Sequence, residues 1–210
     1  MLKIVLTRLG LLWLALAALQ SAHAAAAQPT ILVVGDSISA AYGIRVEEGW
    51  VALLQKKLTS QGYGYRVVNA SVSGETTSGG AVRLARALEL HRPAVVVLEL
   101  GGNDALRGLP LGEVRDNLDA MIRQSRAADA RVVLVGMRIP PNYGPAYTQK
   151  FQALYGDLAR RYKLPLVPFF MERVVRNPAM MQADGIHPSA PAQRVLLDTL
   201  WPALHPLLER

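Results

Sequence analysis

The sequence predicts a three-layer α/β/α sandwich built on a five-stranded parallel sheet, and three observations carry that expectation. Five short runs rich in Val, Leu and Ile recur without in/out alternation of polar residues, the pattern of strands covered on both faces. Amphipathic stretches separate them, and strands alternating with helices imply right-handed βαβ crossovers. No internal repeat or low-complexity linker interrupts the alternation, so one domain is expected.

The strands are read at residues 31–35, 66–70, 95–100, 132–135 and 166–169. The first is Ile31-Leu32-Val33-Val34 ending at Gly35, and the third is three valines followed by Leu98. Helices are read at 49–59, 78–90, 111–127, 146–162 and 190–208. Their apolar residues recur three or four positions apart: Trp50, Leu54 and Leu58 in the first; Leu84 and Leu88 in the second; Val114, Leu118 and Met121 in the third. Tyr147, Phe151 and Leu154 mark the fourth, and Leu196, Leu200 and Leu204 the fifth.

Composition agrees with a folded domain: of 210 residues, 51% are hydrophobic and 19% charged, enough apolar mass for a substantial core. The first residues stand apart. Lys3 and Arg8 precede an uncharged apolar stretch at 9–19, too short to cross a hydrocarbon layer of about 30 Å, and Ala22-His23-Ala24 has the small-x-small pattern of a signal-peptidase site. Residues 1–24 are therefore expected to be a cleaved signal peptide and 25–210 the mature domain, periplasmic or secreted and without stable membrane insertion. The chain has no cysteine, so neither a disulfide nor a lipidated cysteine holds it. Taking Lys3 and Arg8 from the 23 basic residues leaves 21 against 16 acidic ones, a balance of +5. Those cations are scattered rather than clustered with aromatics, which argues against a nucleic-acid partner. A monomer is expected.

Two short motifs carry the chemistry. Gly35-Asp36-Ser37 follows the first apolar run and puts a hydroxyl at the mouth of a buried strand. Asp184-Gly185-Ile186-His187 supplies a carboxylate and an imidazole three residues apart. Together they are the parts of an activated nucleophile. In an open parallel sheet, ligands bind outside the carboxyl ends of the strands, and Ser37, Gly74, Asn103 and the loop at 140–145 all fall there. Read singly, Ser37 is equally a helix cap, Asp36 a turn former, Gly74 a turn glycine and Asn103 a loop residue that satisfies backbone groups. Of the four histidines, His23 leaves with the signal and His91 and His205 lie at or near helix ends, which leaves His187 beside its carboxylate.

Four blocks in order extend these motifs: Gly35-Asp36-Ser37-Ile38-Ser39, Asn69-Ala70-Ser71-Val72-Ser73-Gly74, Gly101-Gly102-Asn103-Asp104 and Asp184-Gly185-Ile186-His187-Pro188. They resemble the blocks of the SGNH (GDSL) hydrolases. The linking text around Leu98 to Gly108 and Pro141-Asn142-Tyr143-Gly144 is similar to that family's bacterial periplasmic thioesterase, lysophospholipase and arylesterase branch. One departure is Glu75, where relatives usually have Asp.

The resemblance implies the flavodoxin-like SGNH hydrolase fold and a serine esterase or thioesterase acting on small acyl esters through an acyl-enzyme. It also implies a catalytic set of Ser37, His187 and Asp184, with Ser37 N–H, Gly74 N–H and the Asn103 amide forming an oxyanion hole. Leu109, Tyr143 and Ile186 are expected to contact the acyl chain. No cofactor and no metal are expected. A carbohydrate deacetylase, or a non-catalytic lipid or carbohydrate binder on the same fold, are the alternatives. A flavodoxin-like phosphate binder fits less well, because Asp36 would repel the anion and no P-loop is present.

Overall fold

The first apolar run forms β1 (Thr30–Gly35), buried along its whole length between β2 (Arg66–Asn69) and β3 (Val95–Glu99). The computed structural model describes residues 28–209, so the expected signal peptide at 1–24 lies outside the described residues. Beyond β3 come β4 (Arg131–Val135) and β5 (Leu166–Val167), giving the order β2-β1-β3-β4-β5 with every pairing parallel. The β1–β3 register sets Gly35 beside Glu99 at the carboxyl ends of both strands.

Helices cover both faces. α1 (Trp50–Ser60) packs on α6 (Ala192–Leu204). α2 (Thr77–His91), α4 (Leu111–Ala127) and α5 (Pro145–Tyr162) pack in series, with a short α3 (Gly102–Leu106) after β3. Trp50, Leu54 and Leu58 of α1 and Leu196, Leu200 and Leu204 of α6 are buried, as their spacing predicts. They join Ile31 to Val34, Val95 to Leu98 and Val132 to Val135 in one core, and burial of such residues at about 25 cal/mol per Å² drives the fold.

Three departures have physical reasons. β2 is an edge strand and stays half exposed, so its Val67 and Val68 are not covered on both faces. β5 stops at Val167 because Pro168 has no N–H to donate; the chain stays tied there by Gly136 N–H to Val167 O at 2.7 Å and Phe170 N–H to Gly136 O at 3.0 Å. The last helix ends at Leu204 and tightens into a 3₁₀ turn at His205–Leu207, two prolines (Pro202 and Pro206) having removed donors from its C-terminal turns.

Candidate active site

The site begins where β1 ends. A Cβ on Gly35 would lie 2.5 Å from Glu99 Oε2 and 2.7 Å from Ser39 Oγ, so only glycine lets the strand turn there. Asp36 Oδ1 accepts the Ile38 N–H at 3.0 Å, an Asx turn that presents Ser37 as the first residue beyond the strand. Far along the chain, Asp184 Oδ1 accepts the N–H groups of Ile186 (2.9 Å) and His187 (3.0 Å), folding a second tight turn.

These two turns meet. His187 Nε2 lies 2.9 Å from Ser37 Oγ, and His187 Nδ1 lies 2.6 Å from Asp184 Oδ2. A neutral imidazole protonated at Nδ1 donates to Asp184 and accepts the Ser37 O–H at Nε2. The hydrogen bonds from His187 N–H, the His187 ring and Ile186 N–H hold the Asp184 carboxyl at about 2, so it is ionised throughout the neutral range. Tyr42 lies against the imidazole, ring centroids 4.5 Å apart and tilted by 39°.

The loop after β2 is drawn to the same edge by Val72 N–H to Gly35 O at 3.1 Å. Gly74 within it has φ +78°, which favours glycine, and its carbonyl accepts from Arg107 at 3.0 Å. The Ser37 and Gly74 amides donate to no acceptor among the described residues. The Asn103 amide donates to Glu75 O at 3.0 Å and to Asp36 Oδ2 at 3.2 Å, so it is oriented by both loops. Only the backbone carbonyl of Glu75 takes part; its largely buried side chain pairs with Arg83 at 2.7 Å. Asp104, next to Asn103, is structural: its two oxygens take the N–H and hydroxyl of Thr77 at the start of α2.

A cavity of about 270 Å³ opens beside Ser37, Asn103 and His187. Its apolar side is formed by Met137, Ile139, Phe169, Met171, Val175 and Ile186. Of the three expected wall residues, Ile186 is there, whereas Leu109 and Tyr143 line no part of it. The Tyr143 hydroxyl instead donates to Leu106 O at 3.1 Å, and Leu109 O accepts from Tyr147 at 2.9 Å. These contacts brace the segment that carries Leu106, which does line the cavity.

Sequence reasoning also passed over Glu99 and Tyr42. Glu99 had a signal, a carboxylate inside an apolar strand; Tyr42 had none, since only the folded turn lays it on His187. Glu99 is fully buried, and burial followed by the neighbouring Asp36 charge pushes its carboxyl well above the usual range. Burial likewise raises Asp36, to about 6.

Comparison with known proteins gives a consistent picture. The family described as "GDSL-like Lipase/Acylhydrolase family" matches residues 33–195. An esterase TesA of Pseudomonas aeruginosa is 55% identical over 183 residues, 87% of this chain and 91% of that protein. Thioesterase 1/protease 1/lysophospholipase L1 of Escherichia coli K12 is 43% identical over 184 residues, 88% of this chain and 87% of that protein. The structure of the psychrotrophic esterase EstA from Pseudoalteromonas sp., inhibited by monoethylphosphonate, superposes with a TM-score of 0.81 at 40% identity, covering 84% of this chain and 97% of that one.

Proposed function

The chain belongs to the GDSL-like lipase/acylhydrolase family, and from that premise we propose that it is a serine ester hydrolase in which Ser37 is the nucleophile, His187 the general base and Asp184 its orienting anion. The observation that carries the reading is the unbroken hydrogen-bonded line from Ser37 Oγ through His187 to Asp184, at 2.9 and 2.6 Å. Ser37 Oγ attacks the acyl carbonyl as its proton passes to His187 Nε2. The imidazolium is stabilised by Asp184 and returns that proton to the departing oxygen or sulfur, leaving the acyl group on Ser37. Water, deprotonated by His187, then releases the acid and restores the hydroxyl.

The tetrahedral oxyanion is met by the Ser37 and Gly74 N–H groups and by Asn103, whose 3.2 Å bond to Asp36 is the longer of its two and the one exchanged for the oxyanion. The inhibition of a related esterase by monoethylphosphonate, whose phosphorus is tetrahedral, is in keeping with a reaction that passes through a tetrahedral intermediate. The substrates are acyl esters and thioesters, including the aryl ester and lysophospholipid classes that the relatives' names carry. The apolar walls of the cavity favour an acyl chain over the sugar that a carbohydrate deacetylase must seat.

Hydrolysis of p-nitrophenyl esters from acetyl to palmitoyl, alongside acyl-CoA and lysophosphatidylcholine, tests the reading. Activity abolished in Ser37→Ala, with a fluorophosphonate adduct on the Ser37 peptide, is expected. An active Ser37→Ala protein or an adduct on another serine overturns it.

We further propose that residues 1–24 are removed on export and that 25–210 act as a monomer in the periplasm or medium. Among the described residues no helix is long and apolar enough to cross a membrane. Mass spectrometry should find an N-terminus at or near Ala25, whereas full-length protein in the inner membrane contradicts the proposal.

A further inference from the structure

Ser37 and His187 are 150 positions apart in sequence, and a single side chain grips the backbone on both sides of the hydrogen bond between them. That side chain is Gln182. Its Nε2 donates to Tyr42 O at 2.7 Å, in the turn that carries Ser37, and to Pro188 O at 3.0 Å, in the turn that carries His187. Its backbone N–H donates to His187 O at 2.8 Å, and its carbonyl accepts from Gly185 at 3.0 Å, closing the Asp184 turn. The Tyr42 peptide passes the grip on: its own N–H donates to Ser37 O at 3.1 Å.

The fit is tight on the nucleophile side. Gly43 has φ +74°, and a Cβ there would stand 2.1 Å from Gln182 Oε1, so the amide packs against the backbone in the space a side chain would take. The amide nitrogen is used twice, once for each turn. Gln182 does not line the cavity beside Ser37, so it has no contact through which to select the acyl group.

We infer that Gln182 is a positioning residue that sets the Ser37 Oγ to His187 Nε2 separation by tying the nucleophile turn to the histidine turn. This rests on the assignment of Ser37 and His187 to catalysis. Without the two amide bonds, the turns are joined by the Ser37–His187 hydrogen bond itself and by the contact of Tyr42 with the imidazole. That contact fixes neither distance nor angle closely, and a displacement of about 1 Å in a reacting pair costs on the order of a hundredfold in rate.

The test uses two length-preserving variants, Gln182→Met, which removes the donors, and Gln182→Glu, which sets a carboxylate against two carbonyl oxygens. Turnover of p-nitrophenyl octanoate by Gln182→Met should fall about ten- to a hundredfold in kcat with KM within about twofold, and fluorophosphonate labelling of Ser37 should slow in the same proportion. The kcat of Gln182→Glu, divided by that of the wild type at each pH, should rise as pH falls from 8 to 5, because protonation returns one donor. If Gln182→Met is not folded at the assay temperature, that pH-dependent ratio decides alone. Wild-type kcat in Gln182→Met, a loss confined to KM, or a ratio flat with pH overturns the inference. Ser37→Ala, assayed in parallel, separates the two levels. If it is inactive while Gln182→Met is normal, only the positioning role fails; if it is active, the catalytic assignment itself fails.

Discussion

The carboxyl of Glu99 lies 2.5 Å from the hydroxyl of Ser39, two residues past the proposed nucleophile, and also accepts the Asp36 N–H at 3.3 Å. Glu99 is wholly buried, its second oxygen has no hydrogen-bond partner, and it belongs to no ion pair among the described residues. Burial makes the neutral acid the favoured form.

Stability should therefore depend on pH through this pair. Glu99 and Asp36 both have folded-state values raised above the unfolded ones, Asp36 to about 6. Their contribution is full below the ordinary carboxyl range near pH 4 and is lost as pH rises through the folded values. Each such group changes stability by at most about 1.4 kcal/mol per pH unit across its window. Thermal unfolding between pH 5 and 8 should show Glu99→Gln gaining on the wild type as pH increases. A constant difference between the two proteins would show that Glu99 does not take up a proton on folding.

The pH dependence of turnover reads a different group. Because Asp184 is held at about 2, it stays ionised above pH 4 and its protonation adds no step to the pH profile of kcat/KM between pH 4 and 8. Asp184→Asn should remain folded and lose on the order of 10³- to 10⁴-fold in kcat, since the wrong imidazole tautomer is then favoured. An Asp184→Asn enzyme near wild-type rate would contradict this.

Asn103→Ala should lower kcat by about 10²- to 10³-fold, the usual cost of one oxyanion donor, with a smaller effect on KM. Binding of a phosphonate ester should weaken in proportion, whereas binding of the carboxylic acid product should change little. Proportional weakening of both would assign Asn103 to shaping the loops through Asp36 and Glu75 instead.

Chain-length preference should respond to Ile186 and not to Leu109. Ile186 is 52% exposed, so Ile186→Ala has little effect on the fold, and losing about 1 kcal/mol of acyl contact lowers octanoyl over acetyl ester selectivity by about fivefold. Leu109→Ala should change both esters alike. The reverse pattern in the two ester series would move the acyl site toward α4.

Much of the architecture was legible because burial writes a strong pattern. Val95 to Leu98 and Ile31 to Val34 are apolar at every position because both faces of their strands are covered, and that pattern distinguished a parallel sheet from an antiparallel one. β5 and the end of α6 were overdrawn for the complementary reason: single prolines end hydrogen bonding without disturbing the apolar pattern around them. In the site, Ser37, Asp184 and His187 sit in tight turns with local signatures, so their positions were readable. The cavity wall was not. Met137, Phe169, Met171 and Val175 come from loops after β4 and β5, and they look like ordinary core residues until the fold brings those loops beside Ser37. The α3 turn was missed because five residues are too few for a periodicity.

The distance along the chain between the proposed nucleophile and its proposed base orders events during synthesis. β1 and its serine emerge from the ribosome early, whereas the imidazole follows 150 residues later, after all five strands have been made. A nascent or prematurely ended chain thus carries a hydroxyl with no base to activate it. On the proposed roles of Ser37 and His187, a chain that stops short of His187 holds the complete five-stranded sheet and still lacks hydrolytic power.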